Sequence, residues 1–319
     1  MTKPISAVFL DVATLGQDVS LSPLEHQNIE WTFYDHSLPE QVLERISQAN
    51  LVICNKVVLS SEVINQCPEL QLICVAATGM NNIDLTACKK AGIKVNNVEN
   101  YAGSSVAQHV FALMLELASN AVKYDDLVKS GRWSKSRTFC MFDYPMIELS
   151  SKTLGLIGYG SLAKSVEKIA HAFDMQVLVA EHKEATTLRH GRSNFQSVLK
   201  NSDFISVHCP LTDSTTNLIA DKELHMMKAS AFIINTARGG IINEPALVEA
   251  LKNRTIAGAA VDVLSVEPPP NEHPLLSSEL DNLIVTPHIA WATKEARQRL
   301  VNIMADKITS YFHNLNKTV

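Results

Sequence analysis

Three polar side chains of types that can take part in catalysis follow apolar, strand-like runs in the last third of the chain. They are Arg238 in I-I-N-T-A-R-G-G (233–240), Glu267 in A-A-V-D-V-L-S-V-E-P (259–268) and His288 in L-I-V-T-P-H-I-A-W (283–291). Open α/β sheets bind their ligands at the carboxyl ends of parallel strands. The spacing therefore predicts that these three side chains meet at one edge of a sheet, as the catalytic residues of an enzyme.

The chemistry of the three side chains suits a small 2-keto or 2-hydroxy acid. The guanidinium of Arg238 offers a planar fork that can hold a carboxylate with two hydrogen bonds. Histidine side chains have an unperturbed pKa of about 6.5, so His288 is suited to exchanging a proton with the substrate oxygen. Glu267 would orient that imidazole. Each residue alone has a simpler explanation (a surface ion pair, a turn, a satisfied polar group), but their joint placement favours catalysis.

A glycine turn upstream indicates where a hydride carrier would bind. The run T-L-G-L-I-G-Y-G-S-L-A-K (153–164) places Gly158 and Gly160 between a strand and a helix. The glycines permit a tight turn and close approach to a pyrophosphate, and the N–H groups of Ser161 and Leu162 would bind that anion at the helix N-terminus. This pattern alone is weak, because an ordinary strand-to-helix loop can have it.

Glu181 strengthens the prediction of a dinucleotide site. It ends the next strand, Q-V-L-V-A-E, about 20 residues beyond the glycines, where a carboxylate accepts hydrogen bonds from the ribose hydroxyls. Such a carboxylate also repels an added phosphate, which predicts NAD rather than NADP as the cofactor. His182, Lys183 and Arg189 could weaken this preference, but a solvated loop is their simplest interpretation.

The elements around these motifs predict an α/β fold with two doubly wound parallel-sheet domains. The predicted strands are 7–11, 29–34, 51–55, 72–77 and 93–98, then 153–157, 176–180, 203–208, 231–235, 257–263 and 282–286. Helices are predicted at 39–49, 84–91 and 293–314, the last packing back on the N-terminal domain. Residues 1–102 with 290–319 would form a smaller, flavodoxin-like substrate domain, and residues 103–289 a Rossmann domain that binds the dinucleotide.

Two segments between these sets lack an ordinary amphipathic pattern. Ser104 to Ser119 is apolar on nearly all faces, which predicts a helix buried between domains or subunits. Gly131 to Ser151 has no clear periodicity and is long for a plain connection, so it is interpreted as an arm or lid.

Composition excludes several other classes of function. The chain has 319 residues, 46% of them hydrophobic and 19% charged, which predicts two folded domains. A net charge of −5 makes nucleic acid an unfavourable partner, and no apolar run is long enough for a membrane span or a signal peptide. The six cysteines are scattered without C-x-x-C, which favours a reducing cytoplasm and no metal site.

The motifs resemble those of the D-isomer-specific 2-hydroxyacid dehydrogenases over nearly the whole chain. N-T-A-R-G-G, V-D-V-L-S-V-E-P-P and T-P-H are similar to the signatures of that family, and V-A-Q-H (106–109), H-C-P-L-T (208–212) and A-A-T-G-M-N-N-I-D (76–84) to its accessory motifs. Within the family, Trp291, A-E-H-K (180–183) and N-K-V-V-L (55–59) resemble the glycerate dehydrogenases, or hydroxypyruvate reductases.

The resemblance implies a role for each matching residue. Arg238, Glu267 and His288 would be catalytic, and backbone N–H groups around Thr78, Gly79 and Met80 would hold the substrate carboxylate together with Arg238. The implied cofactor contacts are Val106 at the nicotinamide, His208, Cys209 and Pro210 at the adenosine, and Thr236, Ala237, Asp262 and Ala290 at the nicotinamide ribose and amide. A homodimer is also implied, with the helix from Ser104 and the arm after Gly131 at its interface.

The sequence departs from the family pattern at a few positions and leaves alternatives open. Ala163 and Ala290 stand where the family often has Gly, Ser161 where it often has Arg, and Gln108 where Glu is frequent. The substrate could be glycerate or hydroxypyruvate, glyoxylate, or another 2-keto acid. A different class of function, an NADH-sensing regulatory scaffold of the same fold, also fits the sequence.

Overall fold

Two parallel β-sheets organise the chain, one in each of two units. The computed structural model describes residues 4–25 and 28–315. The first unit consists of Met1–Ala102 and Ala292–Val319, and the second of Gly103–Trp291.

Eleven strands and ten α-helices are found in the described part of the chain. The strands are β1 (Ile5–Phe9), β2 (Ile29–Phe33), β3 (Leu51–Cys54), β4 (Leu72–Val75), β5 (Lys94–Asn96), β6 (Thr153–Ile157), β7 (Gln176–Val179), β8 (Phe204–Val207), β9 (Phe232–Asn235), β10 (Gly258–Val261) and β11 (Leu283–Val285). The helices are α1 (Pro39–Ile46), α2 (Ser61–Ile64), α3 (Leu85–Ala91), α4 (Gly103–Ser119), α5 (Ala121–Lys129), α6 (Ser161–Ala172), α7 (Phe195–Asn201), α8 (Asp221–Leu224), α9 (Glu244–Lys252) and α10 (Lys294–Leu315).

The sheet of the first unit is doubly wound. Its strand order is β2-β1-β3-β4-β5, with every pair parallel. This is the flavodoxin-like order, and it confirms the predicted fold class for this part of the chain. The strands β3 and β4 are buried along their whole length, as their continuous apolar runs L-V-I-C and L-I-C-V require of a sheet covered on both faces.

The sheet of the second unit has the order β11-β10-β9-β8-β6-β7, again all parallel. A single parallel bridge joins Ala180, just after β7, to Ser193. When this bridge is counted as a much-reduced third strand, the chain follows the Rossmann order, with the direction of winding reversing between β6 and β8. The sequence pattern missed this strand because one bridging residue carries no periodicity.

All predicted strands are confirmed, and their ends differ from the prediction by at most two residues. The helix predicted for 39–49 ends at Ile46, and the last helix runs from Lys294 to Leu315. As predicted, α10 packs on the first unit: Arg299 Nε donates to Tyr101 O at 3.0 Å, and Lys307 Nζ donates to Asn97 O at 2.7 Å. No helix in the described residues is long and apolar enough to cross a membrane.

The helix α4 and the arm that follows α5 belong to the second unit. α4 packs against α6, β9 and β10 of that unit, so contacts within one unit already account for much of its apolar surface. The arm is held to the helices at its ends: Tyr124 Oη donates to Tyr144 O at 2.7 Å, and Ile147 N donates to Ala118 O at 2.9 Å. Its middle carries exposed aromatic side chains, Phe139 and Phe142.

Candidate active site

The glycine turn predicted to bind a pyrophosphate lies between β6 and α6. Gly158 has a φ of +86°, and a Cβ there would lie 2.5 Å from Cys209 N. Only glycine therefore fits where the turn touches the chain after β8. Gly160 is different, because a Cβ there would meet no described atom within 4 Å. The open side of Gly160 is where a ligand could approach the backbone.

The first turn of α6 presents unpaired N–H groups beside Gly160. The helix begins at Ser161, and its first intrahelical bond runs from Lys164 N to Gly160 O at 3.1 Å. The N–H groups of Ser161 and Leu162 precede that bond, so they can bind an anion, aided by the helix dipole. Ala163 is fully buried, which explains why a small residue is needed at the third position of the motif.

Glu181 lies at the predicted position but does not stand alone. It is 3% exposed, and Arg189 binds it through two side-chain hydrogen bonds, from Nε to Oε2 at 2.8 Å and from Nη2 to Oε1 at 2.5 Å. The hydrogen bond from Arg189, joined by that from the backbone N–H of His182, holds the pKa of Glu181 well below its usual value. The interpretation of 182–189 as a merely solvated loop is therefore wrong for Arg189. It is also wrong for Lys183, whose Nζ lies 3.0 Å from Glu223 Oε1.

The segment after β8 borders the glycine turn. His208 N donates to Ile157 O at 2.7 Å, and the side chain of His208 lies 2.9 Å from Ser206 Oγ. Burial lowers the pKa of His208 to about 4 and raises the pKa of the Cys209 thiol. Pro210, which follows, is exposed. These residues therefore border the turn at Gly158, and their contact with an adenosine stays a prediction.

The loop after β9 is shaped by a buried asparagine. Asn235 Oδ1 accepts from Ala237 N at 3.0 Å, while its Nδ2 donates to Arg238 O at 2.9 Å. This clamp turns the chain so that Arg238 is exposed, with Nη1 donating to Ala237 O at 2.7 Å. Thr236 is 9% exposed, and its Oγ1 has no hydrogen-bond partner among the described residues. A buried hydroxyl without a partner is costly, so a ligand atom is the natural partner for Thr236.

The loops after β9 and β10 touch directly. A Cβ added at Gly239 would lie 2.0 Å from the carbonyl carbon and oxygen of Leu264. The first glycine of N-T-A-R-G-G, Gly239, is therefore needed for close packing of the two loops. Leu264 N in turn donates to Glu267 Oε1 at 2.9 Å, so one carboxylate oxygen of Glu267 is fixed by the backbone that Gly239 supports.

The other oxygen of Glu267 binds the predicted catalytic histidine. His288 Nδ1 lies 2.6 Å from Glu267 Oε2, and the two side chains are 24% and 33% exposed. His288 has a φ of +54°, an uncommon conformation for a residue with a side chain. Its Nε2 makes no hydrogen bond to any residue described. An imidazole held through Nδ1 with Nε2 available is the arrangement that acid–base catalysis requires.

Asp262 holds the loop that carries His288. Its oxygens accept hydrogen bonds from the backbone of Ile289 at 2.9 Å and Ala290 at 2.8 Å, and from Thr286 Oγ1 at 2.6 Å. Burial raises the pKa of Asp262, but hydrogen bonds from His109, Thr286 and these backbone groups outweigh it and lower the pKa. The contact of Asp262 with the cofactor stays a prediction; the structure shows that Asp262 orders the loop that carries His288.

His109 joins this network from α4. Its Nε2 lies 3.1 Å from Thr286 Oγ1 and 3.5 Å from Asp262 Oδ1. Val106, one turn earlier on α4, is 4% exposed. Ser105 Oγ donates to Ala290 O at 2.7 Å, which ties the same helix to the end of the catalytic loop. The V-A-Q-H motif was the only sequence signal for His109, and no spacing rule linked it to Asp262.

The remaining predicted residues, Thr78, Gly79 and Met80, follow β4 in the first unit. Thr78 Oγ1 donates to Val98 O at 2.9 Å, and Thr78 O accepts from Asn97 Nδ2 at 2.7 Å. Within residues 4–25 and 28–315, no atom accepts a hydrogen bond from the backbone N–H groups of these three residues. They are thus available to an anion, but their role as carboxylate ligands stays a prediction.

All predicted catalytic and cofactor residues of the second unit lie on α4 or along the carboxyl edge of its sheet. Those of the catalytic trio follow the neighbouring strands β9, β10 and β11. The structure joins His288 to Glu267, whereas no described hydrogen bond joins Arg238 to either. The open glycine turn, the free helix N–H groups and the unpartnered Thr236 hydroxyl fit a nicotinamide dinucleotide.

A protein-family model matches most of the second unit. Residues 111–290 match the family model described as "D-isomer specific 2-hydroxyacid dehydrogenase, NAD binding domain". The matched segment includes the glycine turn and all three catalytic segments.

Two relatives and one solved structure extend the similarity to the whole chain. A glycerate dehydrogenase of Methylorubrum extorquens is 42% identical over 315 residues, covering 98% of this chain and 96% of the relative. A hydroxypyruvate reductase of Blautia hydrogenotrophica is 36% identical over 275 residues, covering 85% of each. A crystal structure of D-lactate dehydrogenase from Aquifex aeolicus with NAD and lactic acid has a TM-score of 0.81 at 27% identity, covering 98% of this chain and 97% of that one.

Proposed function

Since the chain belongs to the D-isomer-specific 2-hydroxyacid dehydrogenase family, we propose that it reduces hydroxypyruvate to D-glycerate with NADH and accepts glyoxylate as a second substrate. The observation that carries the chemistry is the 2.6 Å contact between His288 Nδ1 and Glu267 Oε2. The substrate is proposed because whole-chain relatives bear the names glycerate dehydrogenase and hydroxypyruvate reductase.

Each catalytic side chain has one task in this proposal. Glu267, fixed by Leu264 N, accepts a hydrogen bond from Nδ1–H of His288 and thereby orients the ring. Nε2 of His288 gives a proton to the carbonyl oxygen during reduction and takes it back during oxidation. The guanidinium of Arg238 binds the substrate carboxylate. The bound nicotinamide would supply or accept the hydride.

The dinucleotide is assigned to the second unit and the substrate to the first. Gly158, Gly160, Ser161 and Leu162 would hold the pyrophosphate. The adenosine half would lie beside Glu181 and the 208–210 segment, and Val106, Thr236, Ala237, Asp262 and Ala290 would hold the nicotinamide half. Participation of the Thr78–Met80 N–H groups in carboxylate binding is part of the same proposal.

The experiment is loss of NADH absorbance with hydroxypyruvate, glyoxylate, pyruvate, 2-ketoisocaproate and phosphohydroxypyruvate in turn, repeated with NADPH. We expect the largest kcat/KM with hydroxypyruvate and a lower value with glyoxylate. A larger value with a phosphorylated or branched substrate would reassign the substrate. NADH binding with no turnover on any of them would instead favour the sensing scaffold.

A homodimer and a reducing compartment complete the proposal. The arm exposes large apolar side chains that a partner copy would cover: Trp133, Phe139, Phe142, Met146 and Ile147. All six cysteines are free thiols, four of them buried, which supports a cytoplasmic location. Light scattering on the wild type and on Phe139→Asp/Phe142→Asp should give a dimer and a monomer; a monomeric wild type would refute the dimer.

A further inference from the structure

The carboxylate at the end of β7 is saturated by its own loop. Oε1 of Glu181 accepts from His182 N at 2.9 Å and from Arg189 Nη2 at 2.5 Å. Oε2 accepts from Arg189 Nε at 2.8 Å and from Arg189 N at 3.2 Å. A carboxylate has about four lone-pair sites. In this arrangement Glu181 has none left for the two hydroxyl groups of a ribose.

The loop that delivers Arg189 is anchored on both sides of Glu181. Glu181 N donates to Ser193 O and Ser193 N to Val179 O, each at 2.8 Å, which forms the reduced third strand of the sheet. Arg189 is therefore brought back to Glu181 by the fold and not by a chance contact on the surface. The bond geometry is that of a bidentate arginine–carboxylate pair, the strong form of such a contact.

Pairing removes the negative charge that would repel a phosphate and leaves part of the guanidinium unused. Arg189 binds Glu181 through Nε and Nη2, and its Nη1 has no acceptor among the residues that the structure describes. The side chain of Arg189 is 59% exposed while that of Glu181 is 2% exposed. The surface beside the glycine turn is thus formed by the cation, with the anion underneath.

A second guanidinium lies on the same side of the turn. Arg192 Cζ lies 4.7 Å from the ring centroid of Tyr159, the residue between the two glycines, and its Nη1 donates to Ala180 O at 3.3 Å. Lys183 is not part of this group, because it is paired with Glu223. Lys164 Nζ also lies 5.6 Å from the Tyr159 ring centroid, and Tyr159 Oη donates to Glu167 Oε2 at 2.6 Å. Three cations and two carboxylates therefore flank the turn, giving a local excess of one positive charge.

We propose that Arg189 determines the cofactor specificity of this enzyme by neutralising Glu181 and offering its guanidinium to a 2′-phosphate, so that NADPH is bound about as well as NADH. The inference rests on the proposed assignment of the 158–181 region to the dinucleotide. Guanidinium groups bind phosphate through paired hydrogen bonds. Glu181 after β7 would by itself predict the opposite preference, for NADH over NADPH.

The test measures binding without any 2-keto acid. Titration calorimetry gives Kd for NADH and NADPH, and for ADP and adenosine 2′,5′-bisphosphate, which isolate the adenosine part. In the wild type we expect the two dinucleotides to bind within about tenfold of each other. Arg189→Gln frees Glu181 for the ribose hydroxyls and removes the phosphate ligand, so Kd for NADPH should rise about 10- to 100-fold, the scale of a lost charge-assisted hydrogen bond. Kd for NADH should stay the same or fall.

Two further variants keep the outcome decisive. Arg189→Lys retains the positive charge and should give an intermediate NADPH affinity. If Arg189→Gln is too unstable to measure, Arg189→Lys still tests the inference. Arg254→Gln is the matched control, because Arg254 is similarly exposed at 57% and paired with Asp281 at 2.5 Å; it should leave every Kd unchanged.

Contrary results are equally specific. A wild type that binds NADPH more than about 100-fold more weakly than NADH, or an Arg189→Gln variant that weakens both dinucleotides equally, would overturn the inference. Binding of both dinucleotides without turnover of hydroxypyruvate would refute the proposed substrate and leave the inference intact. Failure to bind either dinucleotide would overturn it together with the cofactor assignment.

Discussion

The carboxyl edge of the six-stranded sheet has two halves that use similar side chains in different ways. In the half formed by β6, β7 and β8, Glu181 is saturated by Arg189 and nearby backbone, and His208 is packed against Ser206. In the half formed by β9, β10 and β11, Glu267 holds His288 through one ring nitrogen and leaves the other available. We call these the binding half and the reaction half.

The difference agrees with the tasks proposed for the two halves. A pyrophosphate is bound by backbone N–H groups and by space at a glycine, so side chains in the binding half can be fully committed to the fold. Proton transfer needs an atom that is oriented but not occupied, and Nε2 of His288 makes no hydrogen bond to any described residue while Nδ1 is held by Glu267. The Glu181–Arg189 pair thus leaves no carboxylate oxygen of Glu181 available, whereas the Glu267–His288 pair leaves Nε2 of His288 available.

The largest effect is expected from removing the acid–base group of the reaction half. His288→Ala should lower turnover at least about 10²-fold, because alanine has no group that can exchange a proton with the substrate oxygen. Its Kd for NADH should stay within a few-fold of the wild type. Steady-state kinetics and calorimetry on the same preparation check this. Parallel loss of both would mean that the two halves are not separable and that His288 is structural.

The two glycines of the turn separate folding from binding within the binding half. Gly158→Ala places a Cβ 2.5 Å from Cys209 N at a φ of +86°, so it should destabilise the second unit by about 2–4 kcal/mol. Gly160→Ala meets no described atom within 4 Å and should leave stability unchanged within about 0.5 kcal/mol, yet weaken NADH binding. Thermal unfolding and calorimetry distinguish the two. Equal stability of both variants would contradict the turn geometry.

The sequence predicted the reaction half better than the binding half. Arg238, Glu267 and His288 each follow a strongly apolar strand, and the order of parallel strands brings their ends together. The partner of Glu181 depended instead on the path of residues 182–193, which a single bridge at Ser193 fixes. A one-residue strand has no hydrophobic period, and an arginine in such a loop looks solvated until that path is known.

Packing details were also beyond the sequence pattern. The contact of Gly239 with Leu264, and the approach of His109 to Asp262, join residues that are 25 or more positions apart. No local periodicity encodes them. Similarly, the apolar faces of α4 correctly predicted burial, but not that α6, β9 and β10 of its own unit supply much of it.

A smaller effect is expected from Arg238→Lys in the reaction half. Lysine keeps the charge but not the planar fork, so the KM for hydroxypyruvate should rise about tenfold or more. Kd for NADH should not change, because the guanidinium of Arg238 is exposed and donates to Ala237 O rather than to a residue of the predicted pyrophosphate site. Arg254→Lys, in an exposed ion pair with Asp281, is the control and should behave as wild type. An unchanged KM would remove Arg238 from the substrate site.

The smallest effect concerns pH and returns to the binding half. Burial lowers the pKa of His208 to about 4, while an unfolded histidine titrates near 6.5. Between these values the unfolded chain binds more protons than the folded one, so His208 makes stability fall as pH drops from about 6.5 to 4. Since the residue keeps some solvent exposure, the contribution should be about 1–3 kcal/mol.

His208→Gln can keep the contact with Ser206 but cannot titrate, so it isolates this contribution from the carboxylates that titrate in the same range. Denaturant unfolding of the second unit at pH 7, 5.5 and 4 should show that the wild type loses more stability than the variant on acidification, while the two are similar at pH 7. If stability depends on pH in the same way in the wild type and in His208→Gln, His208 can be protonated in the folded protein. Its imidazole would then not be committed to the packing of the binding half.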